Sequence, residues 1–186
     1  MSNILIVSGH NDLENNSFAN KIILERLNEL LPEAEFLYLD KTYPEYKFDV
    51  AKEQERLKRA DVIVMQFPFF WYSVPALMHK WMEDVFVHGF SHGSKGKALV
   101  GKKLIISFTS GTPEYMYQKG ELQNHTIEEF LTPLIQFAAT CGMDLAGIIY
   151  SGGLSYASGH DEEQLKAMRE KAIKHAEKLA EKLKSL

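Results

Sequence analysis

The run Val62-Ile63-Val64-Met65-Gln66-Phe67-Pro68-Phe69-Phe70-Trp71-Tyr72-Ser73-Val74-Pro75 decides the fold class. Its apolar start reads as a buried strand, Val62 to Phe67, which runs into a proline-bounded cluster of aromatics. Pro68 and Pro75 fix their own φ and push Phe67 and Val74 toward extended backbone, so the turn between them is stiff. Ala76 to Val87 then follows with helical spacing. A rigid turn bearing flat side chains at the carboxyl end of a strand suits a planar, ring-shaped ligand.

Outward from this unit the same alternation repeats. Ile4 to Val7 is a short β-branched strand stopped by Ser8-Gly9. Asn15, Asn16 or Ser17 can cap a helix whose apolar positions run from Ile22 to Leu31 and which ends near Pro32. Glu35 to Leu39 reads as a strand, and Asp49 as the cap of a helix over Val50 to Arg59. Beyond a glycine-rich loop (Gly89, Gly93, Gly96), Lys103 to Phe108 is a fourth strand. A long loop, Thr109 to Gln123, precedes a helix over Ile127 to Cys141 that Pro133 should interrupt or offset. Asp144 to Tyr150 is the fifth strand. Asp161 opens a last helix with acidic residues first and lysines at its end, as the helix dipole favours. Strands alternating with amphipathic helices make an α/β fold, a parallel sheet covered on both faces. The order 2-1-3-4-5 is expected, with ligand outside the carboxyl ends at the switch between strands 1 and 3. That rule selects the loops after Val7, Phe67 and Phe108.

The 186 residues predict a single domain, and a hydrophobic content of 45 % suffices for a core without staples. A formal charge of −4 without a basic stripe argues against nucleic acid as a partner. Cys141 is the single cysteine, which excludes disulfide frameworks and thiolate metal sites. No signal peptide or membrane-length apolar run is visible, so a cytoplasmic protein is expected.

Each loop has a functional and a plain reading. Ser8 to Asn20 offers hydroxyl, imidazole and amide groups ahead of a helix N-terminus, an anion site in kind, yet Ser17 or Asn16 can simply cap that helix. No G-x-G-x-x-G is present, against a dinucleotide site. Gly96 to Lys102 mimics a phosphate-binding loop, but it precedes a strand and Lys103 stands where Ser or Thr is required. Thr109-Ser110-Gly111-Thr112 can meet the polar edge of a ring or form an ordinary turn. Tyr117 and His125 can form a proton-donating pair or be inert. His88 and His92 have metal-ligand spacing, but Gly89 and Gly93 break the helix and no third ligand is adjacent, so no metal site is assigned. The aromatics Phe69 to Tyr72 can be a ligand platform, core or a subunit interface. Taken together, phosphate-type groups, an aromatic platform and ring-edge hydroxyls at one sheet edge fit a mononucleotide carrying a flat ring, a flavin.

The run Gln66 to Leu77, continuing through Lys80-Trp81-Met82-Glu83-Asp84-Val85-Phe86, resembles the signature of the flavodoxin-like NAD(P)H:quinone oxidoreductases. Bacterial general-stress oxidoreductases and ancillary subunits of potassium-efflux systems belong to the same group. Gly9-His10, Ser17 to Asn20, Asp49 to Gln54 and the loop from Thr109 to His125 extend the likeness over nearly the whole chain. The resemblance implies that His10, Ser17, Phe18, Ala19 and Asn20 hold the flavin phosphate. It implies that Pro68, Phe69, Phe70, Trp71 and Tyr72 line the isoalloxazine, and that Thr109, Ser110 and Gly111 meet its polar edge. Tyr117 and His125 correspond to the pair that steadies the reduced flavin. The implied cofactor is FMN, with FAD the alternative, and NAD(P)H is the co-substrate. A quinone-like acceptor collects both electrons. A homodimer with the aromatic loop near its interface is expected, and a membrane potassium-efflux protein is a further expected partner. The rival classes are an ancillary subunit of such a system and a one-electron flavodoxin-like carrier. Ser91-His92-Gly93 departs from the pattern, as does Ser110 in the Thr109 loop.

Overall fold

A computed structural model describes residues 2–155 and 160–186. In chain order the elements are β1 (Ile4–Ser8), α1 (Leu13–Asn16), α2 (Ala19–Leu30), β2 (Glu35–Tyr38), α3 (Leu39–Thr42), α4 (Val50–Arg59) and β3 (Val62–Pro68). They continue with α5 (Ala76–Val85), β4 (Lys103–Thr109), α6 (Ile127–Thr140), β5 (Asp144–Ser151) and α7 (Glu162–Lys184). All strand pairs are parallel and their order is β2-β1-β3-β4-β5, as expected.

The period of two along each strand sorts the core into two layers. Leu5, Val7, Ile63, Met65, Phe67, Leu104, Ile106 and Phe108 pack toward α4, α5 and α6. Ile6, Val62, Val64 and Ile105 turn the other way, toward α2 and α7. The β3 run is buried along its whole length, which is why it lacks the polar alternation of an exposed strand. Between Leu104 and Ile105 the register against β5 shifts, so that Ile105 faces Gly147 and Ala146 is the extra residue.

The caps follow the residue chemistry, with one exception at α2. Asp49 accepts from Lys52 N at the start of α4, and Asp161 forms a capping box with Gln164 at α7. Asp12, however, caps the short α1, and Phe18 stands at the N-cap of α2 without a side-chain bond. Ser17 still serves α2, its Oγ accepting from Lys21 N at 3.2 Å. Helix α6, opened by a capping box of Thr126 and Glu129, runs unbroken through Pro133 where an interruption or offset was expected. Pro133 deprives the Glu129 carbonyl of its helical donor, and Thr132 Oγ1 supplies one at 2.9 Å. The short α3 and a 3₁₀ turn over Glu114–Met116 have no clear periodic signal. No helix among the described residues is long and apolar enough to cross a membrane.

Candidate functional site

The carboxyl ends of β1, β3, β4 and β5 meet at one rim, where backbone bonds tie the loops together. Gly9 N donates to Gln66 O, Phe69 N to Thr109 O, Ser110 N to Ser151 O, and Leu154 N to Ser110 O. The aromatic turn is also strained: Trp71 and Tyr72 both have positive φ, 47° and 65°. For bulky L-residues that conformation costs about 1–3 kcal/mol each, and such strain concentrates at functional sites. Trp71 is 91 % exposed, so packing alone does not account for it.

Two adjoining cavities open at this rim. The first, about 170 Å³, is lined by His10, Ser17, Phe18, Ala19, Asn20, Pro68, Phe69, Phe70, Thr109, Ser110 and Gly111. These are all the expected cofactor residues except Trp71 and Tyr72. The second, about 340 Å³, is lined by Trp71 and Tyr72 together with Tyr117, Thr112 and Gln123, and it shares Phe69, Gly111 and Ser155 with the first. The structure therefore brings the three sequence-selected loops together. Leu154 and Ser155, which follow β5, also line the first cavity and were missed by the sequence reading. The rule that selects strand carboxyl ends applies equally to β5 and could have found them.

The donors in the first cavity are set by local structure. His10 is buried, and its Nδ1 accepts from Asp12 N at 3.0 Å, which leaves the ring proton on Nε2. Burial lowers its pKa, more than the nearby carboxylates of Asp40 and Asp12 raise it, so the ring is held neutral. Its edge meets Phe70 at a centroid distance of 5.7 Å. Phe18 at the N-cap offers no side-chain acceptor and Ser17 Oγ takes only the Lys21 N–H, which leaves the N–H groups of Ala19 and Asn20 for an anion at the helix N-terminus.

The second cavity has an aromatic wall. Tyr72 stacks on Phe130 at 4.9 Å, and Phe130 meets Tyr117 and His125 edge-on at 6.1 and 5.5 Å. Tyr117 is buried and lines the cavity. His125 does not: it lies across Phe130, 58 % exposed, with Nδ1 3.3 Å from Glu129 Oε2. The loop is braced from β5 and α7. Glu114 accepts from Gly152 N at 2.8 Å and pairs with Lys171 at 2.7 Å. Burial works against the Glu114 carboxylate, but Lys171 and the Gly152 N–H hold its pKa below the ordinary range.

His88 and His92 face each other with ring centroids 5.7 Å apart. No group of three or more His, Cys, Asp or Glu among the described residues is placed to hold a metal.

Comparison with known proteins matches this architecture. The family described as having a flavodoxin-like fold matches residues 2–176. The glutathione-regulated potassium-efflux system ancillary protein KefF of Enterobacter sp. (strain 638) is 38 % identical over 140 residues, 75 % of this chain and 77 % of that protein. The uncharacterized NAD(P)H oxidoreductase YrkL of Bacillus subtilis (strain 168) is 36 % identical over 159 residues, 84 % of this chain and 89 % of that one. Among solved structures, general stress protein 14 from Treponema denticola in complex with FMN superposes with a TM-score of 0.86 at 26 % identity, covering 97 % of this chain and 99 % of that chain. With the fold, the strand order and the matched length in agreement, the chain belongs to the flavodoxin-like fold family.

Proposed function

We propose that this protein is a flavin-dependent NAD(P)H oxidoreductase, with FMN in the two adjoining cavities and a quinone-like acceptor. The observation that carries the reading is the junction of the cavities: anion-type donors on one side, aromatic faces on the other, with Phe69, Gly111 and Ser155 common to both. The donor set fits a phosphate ester. His10 offers Nε2–H, Ser17 offers a hydroxyl, and the first turn of α2 offers backbone N–H groups. The relatives YrkL, an NAD(P)H oxidoreductase by name, and the FMN complex of general stress protein 14 point the same way.

When bound, a flavin supplies hydride uptake from a reduced nicotinamide and two-electron delivery to an acceptor. This chain's residues would bind and orient it. Trp71, Tyr72 and Phe69 would cover aromatic surface and exclude water, and the Thr109 to Gly111 turn would meet the polar edge of the ring. Tyr117 would hold its phenolic proton toward that edge, in a cavity where a preorganised donor is worth more than in water. His125, outside the lining and paired with Glu129, would act only across Phe130.

A homodimer is part of the reading. Phe70, Trp71 and Tyr72 are 43, 91 and 45 % exposed beside a groove of about 850 Å³ that also takes in His79, Lys80 and Glu83 of α5. A contiguous aromatic patch of this kind is what a second copy covers. Light scattering of the purified protein would give twice the monomer mass, and a monomer at micromolar concentration would remove this element.

The test is a fluorescence titration with FMN, followed by NADPH and NADH oxidation with and without a simple benzoquinone. Saturable FMN binding with quinone-dependent turnover is expected, and Tyr117→Phe should bind FMN normally but turn over more slowly. A protein that binds no flavin would refute the reading. One observation favours a second role: the 38 % identity to KefF. Under that reading the protein also docks on a membrane efflux protein, and co-purification with such a transporter would reveal it.

A further inference from the structure

On the sheet face toward α2 and α7, the apolar layer of Ile6, Val64 and Ile105 gives way two residues further along to Ser8, Gln66 and Ser107. Ser151 lies beyond them on β5, opposite Thr109. His175 enters this buried row from α7 and is itself 2 % exposed. Its Nε2 is 2.9 Å from Ser107 Oγ, and its Nδ1 is 3.0 Å from Ser151 Oγ. Ser107 Oγ donates to Gln66 Oε1 at 2.6 Å, and Gln66 Nε2 donates to Asn20 Oδ1 at 2.8 Å. Asn20 Nδ2 in turn donates to Thr109 Oγ1 at 2.8 Å. Asn20 and Thr109 both line the first cavity, so an unbroken buried chain joins α7 to the site.

Proton counting gives the chain a direction. Ser107 has one hydroxyl proton; committed to Gln66, it leaves Ser107 as the acceptor for His175, which puts the imidazole proton on Nε2. Nδ1 then accepts from Ser151. Gln66 uses its carbonyl toward Ser107 and its amide toward Asn20, and Asn20 repeats the pattern toward Thr109. Thr109, accepting from Asn20, has its own proton left for the cavity. Were the imidazole proton on Nδ1, Ser107 would donate to Nε2 and both amides would turn over. Thr109 would then donate to Asn20 and present only lone pairs to the ligand.

We infer that His175 is a positioning residue for the cavity: through Ser107, Gln66 and Asn20, its tautomer aims the Thr109 hydroxyl proton at an acceptor atom of the bound ligand. The inference rests on the flavin reading for its ligand, an oxygen-rich phosphate ester with a ring of acceptor atoms. Burial, with Lys178 nearby, pushes the His175 pKa down to about 4, so the imidazole is neutral near pH 7 and carries one ring proton, whose position sets the direction of the chain. A local hydrogen-bond reversal is costly here because every member is buried and each unmade bond leaves a desolvated group.

The experiment combines FMN titration of wild type, His175→Leu, His175→Gln, Thr109→Val and the Leu/Val double variant with ¹⁵N NMR of the imidazoles in the flavin-free protein. His175→Leu should raise the FMN dissociation constant about three- to tenfold, the worth of one buried hydrogen bond. His175→Gln keeps an N–H for Ser107 and should restore binding to within about twofold. In the Thr109→Val background, His175→Leu should cost no further affinity, which a merely structural role would not produce. The NMR spectrum should show the Nε2–H tautomer. Unchanged FMN affinity in a folded His175→Leu protein, additive losses in the double variant, or an Nδ1–H tautomer would each overturn the inference. If His175→Leu fails to fold, the tautomer still decides it: Nε2–H supports the inference and Nδ1–H overturns it. Wild type that binds no FMN refutes the flavin reading separately, and the tautomer spectrum then decides the direction of the chain without any ligand.

Discussion

The loop that carries His10 leaves β1 through Gly9, whose N–H donates to Gln66 O at 2.9 Å. A Cβ built on Gly9 would lie 2.6, 2.7 and 2.9 Å from Cε, Sδ and Cβ of Met78, which is itself fully buried in α5. The two tightest contacts are with the Met78 thioether end, which is buried and can move only by repacking the core around it, so Gly9→Ala overpacks the seam between the His10 loop and α5. Overpacking of this kind costs about 1–3 kcal/mol, offset by about 0.4–1 kcal/mol from the stiffer unfolded chain. Met78→Ala alone should cost about 2–5 kcal/mol through the cavity it leaves. In the double variant the new methyl enters space that Met78 Cε and Sδ vacate and keeps only the 2.9 Å approach to Cβ, so the two changes should couple favourably by about 1–2 kcal/mol. Urea unfolding followed by circular dichroism gives all of the free energies, provided that the m value stays constant. Gly9→Ala should also weaken FMN binding, and adding Met78→Ala should recover part of it. Additive stability losses, or a Gly9→Ala protein as stable as wild type, would refute the claim that close approach to Met78 dictates glycine at this position.

Stability should depend on pH through His175. Its pKa falls from 6.5 in the unfolded chain to about 4 in the native one. Between those values the unfolded state binds the extra proton. The contribution is therefore complete above pH 6.5 and lost as pH falls toward 4, by about 3 kcal/mol in total; His175→Gln should flatten that slope in acid denaturation curves. Thr132→Val should destabilise by about 1 kcal/mol in thermal melts, because the Glu129 carbonyl freed by Pro133 loses its donor. In a Pro133→Ala background the same change should cost nearly nothing, and an equal cost in both backgrounds would dismiss this account. Trp71→Ala should shift stability by under about 0.5 kcal/mol, since its side chain buries little, while raising the FMN dissociation constant about two- to tenfold. Full flavin retention would take Trp71 out of the platform.

Much of the site was legible locally. Pro68 and Pro75 frame an aromatic turn between β3 and α5 because proline restrains its own φ and its predecessor's backbone, a one-dimensional fact. The switch-point rule then joined His10, Phe69 and Thr109 at one edge without any coordinates. The misses have physical causes. Pro133 stays inside α6 because the neighbouring hydroxyl of Thr132 satisfies the orphaned carbonyl, a compensation that hydrophobic periodicity does not register. His125 is outside the cavity lining, beside Phe130 and 3.3 Å from Glu129 Oε2, a side-chain placement that spacing along the loop does not encode.

The order of apolar runs, turns and caps alone determined the layered parallel sheet and the loops at its carboxyl edge, because burial period and backbone restriction act over a few residues. Tertiary structure alone decided the chain from His175 through Ser107, Gln66 and Asn20 to Thr109. In the sequence His175 interrupts an otherwise apolar stripe, and Ser107 sits inside a strand that reads as core. They become partners only when α7 folds back over β4, 68 residues earlier in the chain. Hydrogen-bond direction depends on that distant pairing, which no local periodicity encodes.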